Sequence, residues 1–276
     1  MSFFSRSYFC DNQNLRPKER GDLPSLAEEN LYRIKKKMKI EDNTIPRITP
    51  YTIKELCKKH HLFQTIELNE KIYLHYQGFK KIESLEGLSD LKSLWLQGNC
   101  IQKIENLNEL VKLRCLYLQN NCIEKIEGLD SLVELDTLIL SNNQIKKIEG
   151  ISKLQKLHSL DVQKNLISSV KDIQEIRHCK SLSVLDLSGN QIPAKDAVAL
   201  LDLLKQLPEL RVLRLVGNEV VRTTEFNYRK TIVASLHSLT YLDERPVFDD
   251  ERKLYEACDN NNSQQRMEKD QQDEDE

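Results

Sequence analysis

The chain has no excess of either charge: 41 Lys and Arg stand against 43 Asp and Glu, a formal net charge of −2 in 276 residues. That balance removes the long-range attraction on which nucleic-acid binding rests, and nucleic acid is not an expected partner. There is also no uncharged apolar run approaching the ~20 residues that span a bilayer. The segment from Met1 to Arg20 lacks an apolar stretch behind a basic one, so neither membrane insertion nor secretion is expected. Apolar residues make up 39%, below the usual ~45–50%, and charged residues 30%, above the usual ~25%, which is the balance of a soluble protein. The seven cysteines form no CxxC pair, and an odd number without a leader segment predicts reduced thiols in a cytosolic compartment.

The signatures of catalysis are missing as well. There is no GxSxG elbow, no GxxxxGK[ST] phosphate loop, no GxGxxG after a strand and no HExxH. The six histidines (His60, His61, His75, His158, His178 and His237) show no metal-ligand spacing with each other or with cysteine. No enzyme activity, cofactor or metal is therefore expected.

What the chain has is leucine with a period. Asn99, Asn121, Asn143 and Asn165 are 22 residues apart, each in the frame L-x-x-L-x-L-x-x-N-x-I. One such unit is Leu91-Leu94-Leu96-Asn99-Ile101; the next is Leu113-Leu116-Leu118-Asn121-Ile123. Asn190 follows after 25 residues and Asn218 after 28, and a degenerate opening unit, Ile72-Leu74-Gln77-Phe79, makes seven. This is a leucine-rich repeat. The expected fold is an α/β solenoid whose L-x-L steps are short parallel strands forming a concave sheet, with leucines inward and the intervening residue outward. Each asparagine is expected to satisfy backbone groups that its turn would leave buried and unpaired.

The open ends need covers. Thr49-Pro50 is an N-cap and first-turn pair leading into Ile53, Leu56 and Cys57, which predicts a capping helix from about Pro50 to His60. Apolar spacing in Ala194 to Leu207 predicts an α-helix on the back of the solenoid. The expected organisation is a flexible flank over 1–48, a repeat domain with caps over 49–248 and an acidic disordered tail over 249–276. Within the repeat domain, about seven repeats cover 69–226 and a C-terminal cap covers 227–248. One possible helix lies around Leu26 to Lys39 in the flank. Cys100 and Cys122 occupy the same repeat position, and strand spacing would admit a disulfide there, although a reducing compartment argues against it.

The outward residues of the strands contribute nothing to the core and are the candidate binding residues: Tyr73, Trp95, Tyr117, Ile139, Asp161, Asp186 and Arg214. Four large apolar groups followed by three charges, with His75, Gln97, Gln119, Ser141 and Gln163 alongside as a polar rim, match the composition of protein-binding hot spots. Burial under the N-terminal flank is the competing explanation.

Segments outside the generic leucines are more discriminating. TIKELCKKH (Thr52 to His60), YLHYQGFKKIESLEGL (Tyr73 to Leu88), LWLQGNCIQKIENL (Leu94 to Leu107) and NYRKTIVASLHSLTYLDERPVF (Asn227 to Phe248) together resemble the dynein axonemal assembly factor 1 family. The likeness runs from about Ile48 to Cys258. It implies a non-enzymatic factor for preassembly of axonemal dynein arms, found in the cytoplasm and in the cilium or flagellum. The partners it implies are axonemal dynein chains, chaperones and other assembly factors, and a monomer is expected. Two other roles stay open: a regulatory subunit holding a phosphatase in its concave face, and an axoneme-resident protein resembling a dynein light chain.

Overall fold

The structure of the protein, a computed structural model, describes residues 45–222 and 227–257. The possible helix around Leu26 to Lys39 and the tail beyond residue 257 lie outside these residues. Seven three-residue strands follow the leucine period: β1 (Lys71–Tyr73), β2 (Ser93–Trp95), β3 (Cys115–Tyr117), β4 (Thr137–Ile139), β5 (Ser159–Asp161), β6 (Val184–Asp186) and β7 (Val212–Arg214). They form one parallel sheet in chain order, joined by β8 (Tyr241–Leu242), after which β9 (Arg245–Pro246) turns back antiparallel. The central residue of each repeat strand, such as Leu94, Leu116, Leu138 and Leu160, faces inward and is fully buried. The register pairs these leucines one to one, so the outward positions also line up across the sheet.

A strand of three residues leaves most of each repeat's backbone in turns, where polar groups are buried without a regular partner. The ladder asparagines supply the missing partners. Asn121 accepts from the N–H of Ile101 and donates to the carbonyls of Leu96 and Leu118, all at 3.0 Å. Asn143 serves Ile123, Leu118 and Leu140 in the same way, and Asn218 serves Ile192, Leu187 and Leu215. The residue just before each ladder asparagine is left-handed, with φ of 68° at Gly98, 59° at Asn120, 55° at Asn142 and 64° at Gly189. Glycine and asparagine tolerate that conformation best, which accounts for the G-N and N-N dipeptides in the sequence.

On the back, the segments between β1 and β5 are turns, because 22 residues leave no room for more. The longer units thicken. Val170–His178 is a 3₁₀-helix opened by the Ser169 side chain, and Ala194–Asp196 is a 3₁₀ turn leading into α2 (Ala197–Leu204). The helix expected from Ala194 to Leu207 is thus α-helical only in its middle, since Pro193 opens it in a tighter turn.

Both ends are covered. At the N-terminal end, α1 (Pro50–Lys59) begins with the Thr49 hydroxyl accepting from the Thr52 N–H and buries Ile53, Leu56 and Cys57 against the first unit. Arg47 grips Glu83 through both guanidinium arms, at 3.0 and 2.6 Å. At the other end, α3 (Tyr228–Ser235) leads to β8, and Asp243 ends the ladder. Its Oδ1 accepts from the Leu215 N–H at 2.8 Å, a role played in the previous unit by the Arg214 carbonyl toward Leu187. Burial, reinforced by the Asp243 carboxylate, pushes the Tyr228 phenol far up, so its hydroxyl stays a donor to Asp243.

The expectation of a disordered tail from residue 249 is corrected over 249–257, which are helical. Arg252 is the reason: its guanidinium donates to the carbonyls of Val233, Leu236 and Leu239 at 2.7, 2.8 and 2.6 Å. Arg229 meanwhile clamps Glu251 at 2.7 and 2.8 Å. Cys100 carries a free thiol, so no bridge joins it to Cys122.

Leu116, fully buried on β3 with units on both sides, tests the repeat register. Leu116→Ala is expected to lower unfolding free energy by about 2–5 kcal/mol in urea melts. A change below about 0.5 kcal/mol would mean that the residue faces outward.

Candidate functional site

The candidate residues share the third position of successive strands, and the parallel register sets them side by side. Tyr73 pairs with Trp95, Trp95 with Tyr117, Tyr117 with Ile139, Ile139 with Asp161, Asp161 with Asp186 and Asp186 with Arg214. All seven therefore form one continuous column. Trp95 lies 4.6 Å from the Tyr73 ring, tilted by 38°, and 5.0 Å from the Tyr117 ring, stacked within 11°. These side chains are half-buried by one another. The strip therefore carries part of the fold's stability, where the sequence alone suggested outward residues free of structural load.

The structure extends the strip with a residue the sequence reading did not include. His60, at the C-terminal end of α1, sits 5.0 Å from the Tyr73 ring and 5.7 Å from His75. The signal for it was available, because a helix that covers the first repeat must bring its last residues to the first strand. Beside the strip, the flanking column holds buried polar atoms with no hydrogen-bond partner among the described residues: His75 Nδ1, Gln97 Oε1 and Gln119 Oε1, with Asn120 Oδ1 in the adjoining turn. Burial first, then the nearby His60 and Lys59, lowers the His75 pKa, which favours the neutral ring.

The charged half is uneven. Asp186 is buried, accepts from the Ser188 N–H at 2.9 Å and faces the Arg214 guanidinium at 3.5 Å, so Arg214 is tied into an ion pair. Among the described residues Asp161 accepts only neutral donors, the N–H of Gln163 at 3.0 Å and its side-chain amide at 3.3 Å, with Ser141 close by. Burial raises the Asp161 pKa above the ordinary aspartate value, and the neighbouring Asp186 charge adds to the rise; the Gln163 backbone bond opposes it. Among the described residues no three His, Cys, Asp or Glu side chains come together as a metal site, and no helix is long and apolar enough to cross a membrane.

Comparison with known proteins adds the family. A model described as "Leucine-rich repeat" matches residues 130–271, and one described as "Leucine Rich repeats (2 copies)" matches 89–131. The chain is 56% identical over 210 residues to the leucine-rich repeat-containing protein ODA7 of Chlamydomonas reinhardtii, covering 76% of this chain and 48% of that protein. It is 62% identical over 212 residues to dynein axonemal assembly factor 1 of Homo sapiens, covering 77% and 29%. With the Drosophila melanogaster homolog of that factor it shares 55% identity over 213 residues, covering 76% and 14%. The chain thus spans about half the length of the algal relative and less of the animal ones. Among solved structures, an internalin (inlF) from Listeria monocytogenes superposes with a TM-score of 0.53 at 26% identity, covering 64% of this chain and 48% of that one.

Three outcomes follow from this geometry. Trp95→Ala combined with Tyr117→Ala removes the stacked contacts, each worth about 0.5–1.5 kcal/mol beyond area burial, so cooperative unfolding is expected to persist at a Tm lowered by several degrees. Lys103→Ala with Lys125→Ala breaks only exposed pairs of 3.8 and 3.5 Å to Glu127 and Glu149 and is expected to leave Tm unchanged. For Asp161, a folded-state pKa raised above the unfolded one means that stability is greatest with the carboxyl protonated and falls as pH rises through the raised value. Asp161→Asn is therefore expected to raise Tm at about pH 7, and this gain should shrink toward about pH 4. A variant less stable than its parent at neutral pH would show that the carboxylate's hydrogen bonds outweigh its desolvation.

Proposed function

The chain belongs to the leucine-rich repeat family, with proteins named dynein axonemal assembly factor 1 among its relatives, and from that premise we propose that it is a non-enzymatic scaffold for assembly of axonemal dynein. The single observation that carries the scaffold reading is the continuous concave column from Tyr73 to Asp186. Aromatic side chains at its centre match the residue types that dominate protein-binding hot spots. Polar atoms of His75, Gln97 and Gln119 that have no partner among the described residues run beside it and gain hydrogen bonds when a partner covers them. A neighbouring sheet or helix from an assembling complex is the natural cover for such a surface.

In this reading the chain acts in the cytoplasm, before dynein arms reach the cilium or flagellum, and its partners are axonemal dynein chains together with chaperones or other assembly factors. Binding requires no cofactor, because the column offers apolar edges, amides and carboxylates rather than a catalytic group.

Deleting the gene in ciliated cells is expected to leave cilia present but motionless, with dynein arms missing from electron micrographs of the axoneme. Re-expression of the parent chain should restore the arms, and the Trp95→Ala, Tyr117→Ala variant, at matched abundance, should not. A normal complement of both arms after deletion overturns the assembly role. Retention of the protein with demembranated axonemes, rather than in the cytosol, overturns preassembly in favour of axonemal residence.

A further inference from the structure

The concave column has two halves of different chemistry, and what they select deepens the docking role just proposed, on which it rests. Trp95 packs between Tyr73, 4.6 Å away, and Tyr117, 5.0 Å away. The three rings form one continuous apolar strip. A strip of packed rings suits apolar side chains. Ile139 continues this apolar strip by one strand.

One strand further on, the chemistry reverses. Asp186 has its counter-charge in Arg214, whereas Asp161 is half-buried beside it and, among the described residues, holds only the amide donors of Gln163 and the nearby Ser141 hydroxyl. A carboxylate removed from water and set beside a second carboxylate, with no cation of its own, is costly to keep. A cation delivered from outside relieves that cost.

We propose that the concave face receives a basic, apolar polypeptide segment of a partner protein, with apolar side chains against Trp95, Tyr117 and Ile139 and one Lys or Arg on Asp161. The spacing is set by the sheet. Asp161 lies two strands from Tyr117 and three from Trp95. At ~4.8 Å per strand, that places the cation about 10–14 Å from the aromatic anchors. This is about seven to nine residues along a helix or three to four along an extended chain.

The test uses the chain as it stands, immobilised and panned against a random peptide library displayed on phage. Three forms are compared: the parent, Trp95→Ala with Tyr117→Ala, and Asp161→Asn, each first shown to be folded by circular dichroism. The parent is expected to enrich peptides with apolar residues and a Lys or Arg at the stated spacing. Asp161→Asn should lose the basic preference while keeping the apolar one, and should bind the best parent-selected peptide about tenfold or more weakly. Peptides that depend on Trp95 and Tyr117 but carry no basic enrichment, or that bind Asp161→Asn as tightly as the parent, overturn the proposal and leave the docking face standing. Enrichment indifferent to loss of Trp95 and Tyr117 overturns the docking face, and the proposal falls with it.

Discussion

Asn121 takes the N–H of Ile101 from the unit before it, gives one hydrogen to Leu96 of that unit and another to Leu118 of its own. No unit satisfies its own turn without the next, and the same bridge is repeated at Asn143, Asn165, Asn190 and Asn218. An unpaired buried backbone group costs about 1–3 kcal/mol, so a unit inserted out of step would lose this bridge as well as its leucine contacts. The asparagines thereby hold the strands in a one-to-one register, and that register aligns the outward side chains. A continuous column of outward side chains is a by-product of how the interior is wired.

This dependence explains which parts of the molecule could be read from the residues. Leucine spacing and asparagine position are local patterns repeated with a constant offset, and they carry the strand positions, the inward leucines and the adjacency of Tyr73, Trp95 and Tyr117. Contacts made once, between segments far apart in the chain, leave no such pattern. The three carbonyls held by Arg252 belong to the end of α3 and the turn after it, and nothing in an acidic, polar segment marks one arginine as a clamp. His60 in the aromatic strip is a similar case, because its place depends on how α1 crosses the first unit.

The half-burial of the strip has the same origin. Outward residues on separate strands are exposed when considered singly, but parallel strands about 4.8 Å apart bring aromatic side chains within stacking distance, and each ring shades the next. Stability then rests in part on outward-facing residues. Asp161 lies further along the same column, where burial without a counter-charge among the described residues opposes folding.

A solenoid of parallel strands is, in its geometry, an unfinished filament, since the last strand of one molecule offers the same hydrogen-bonding edge that its own interior strands use. β9 ends this propagation. It reverses direction through the two residues Asp243 and Glu244 and places Pro246, which has no N–H to give, opposite Tyr241. A second molecule approaching this end meets an antiparallel edge with a donor missing, out of phase with the parallel pattern that it would need to continue. The parallel hydrogen-bonding pattern of the sheet thus stops at one hairpin.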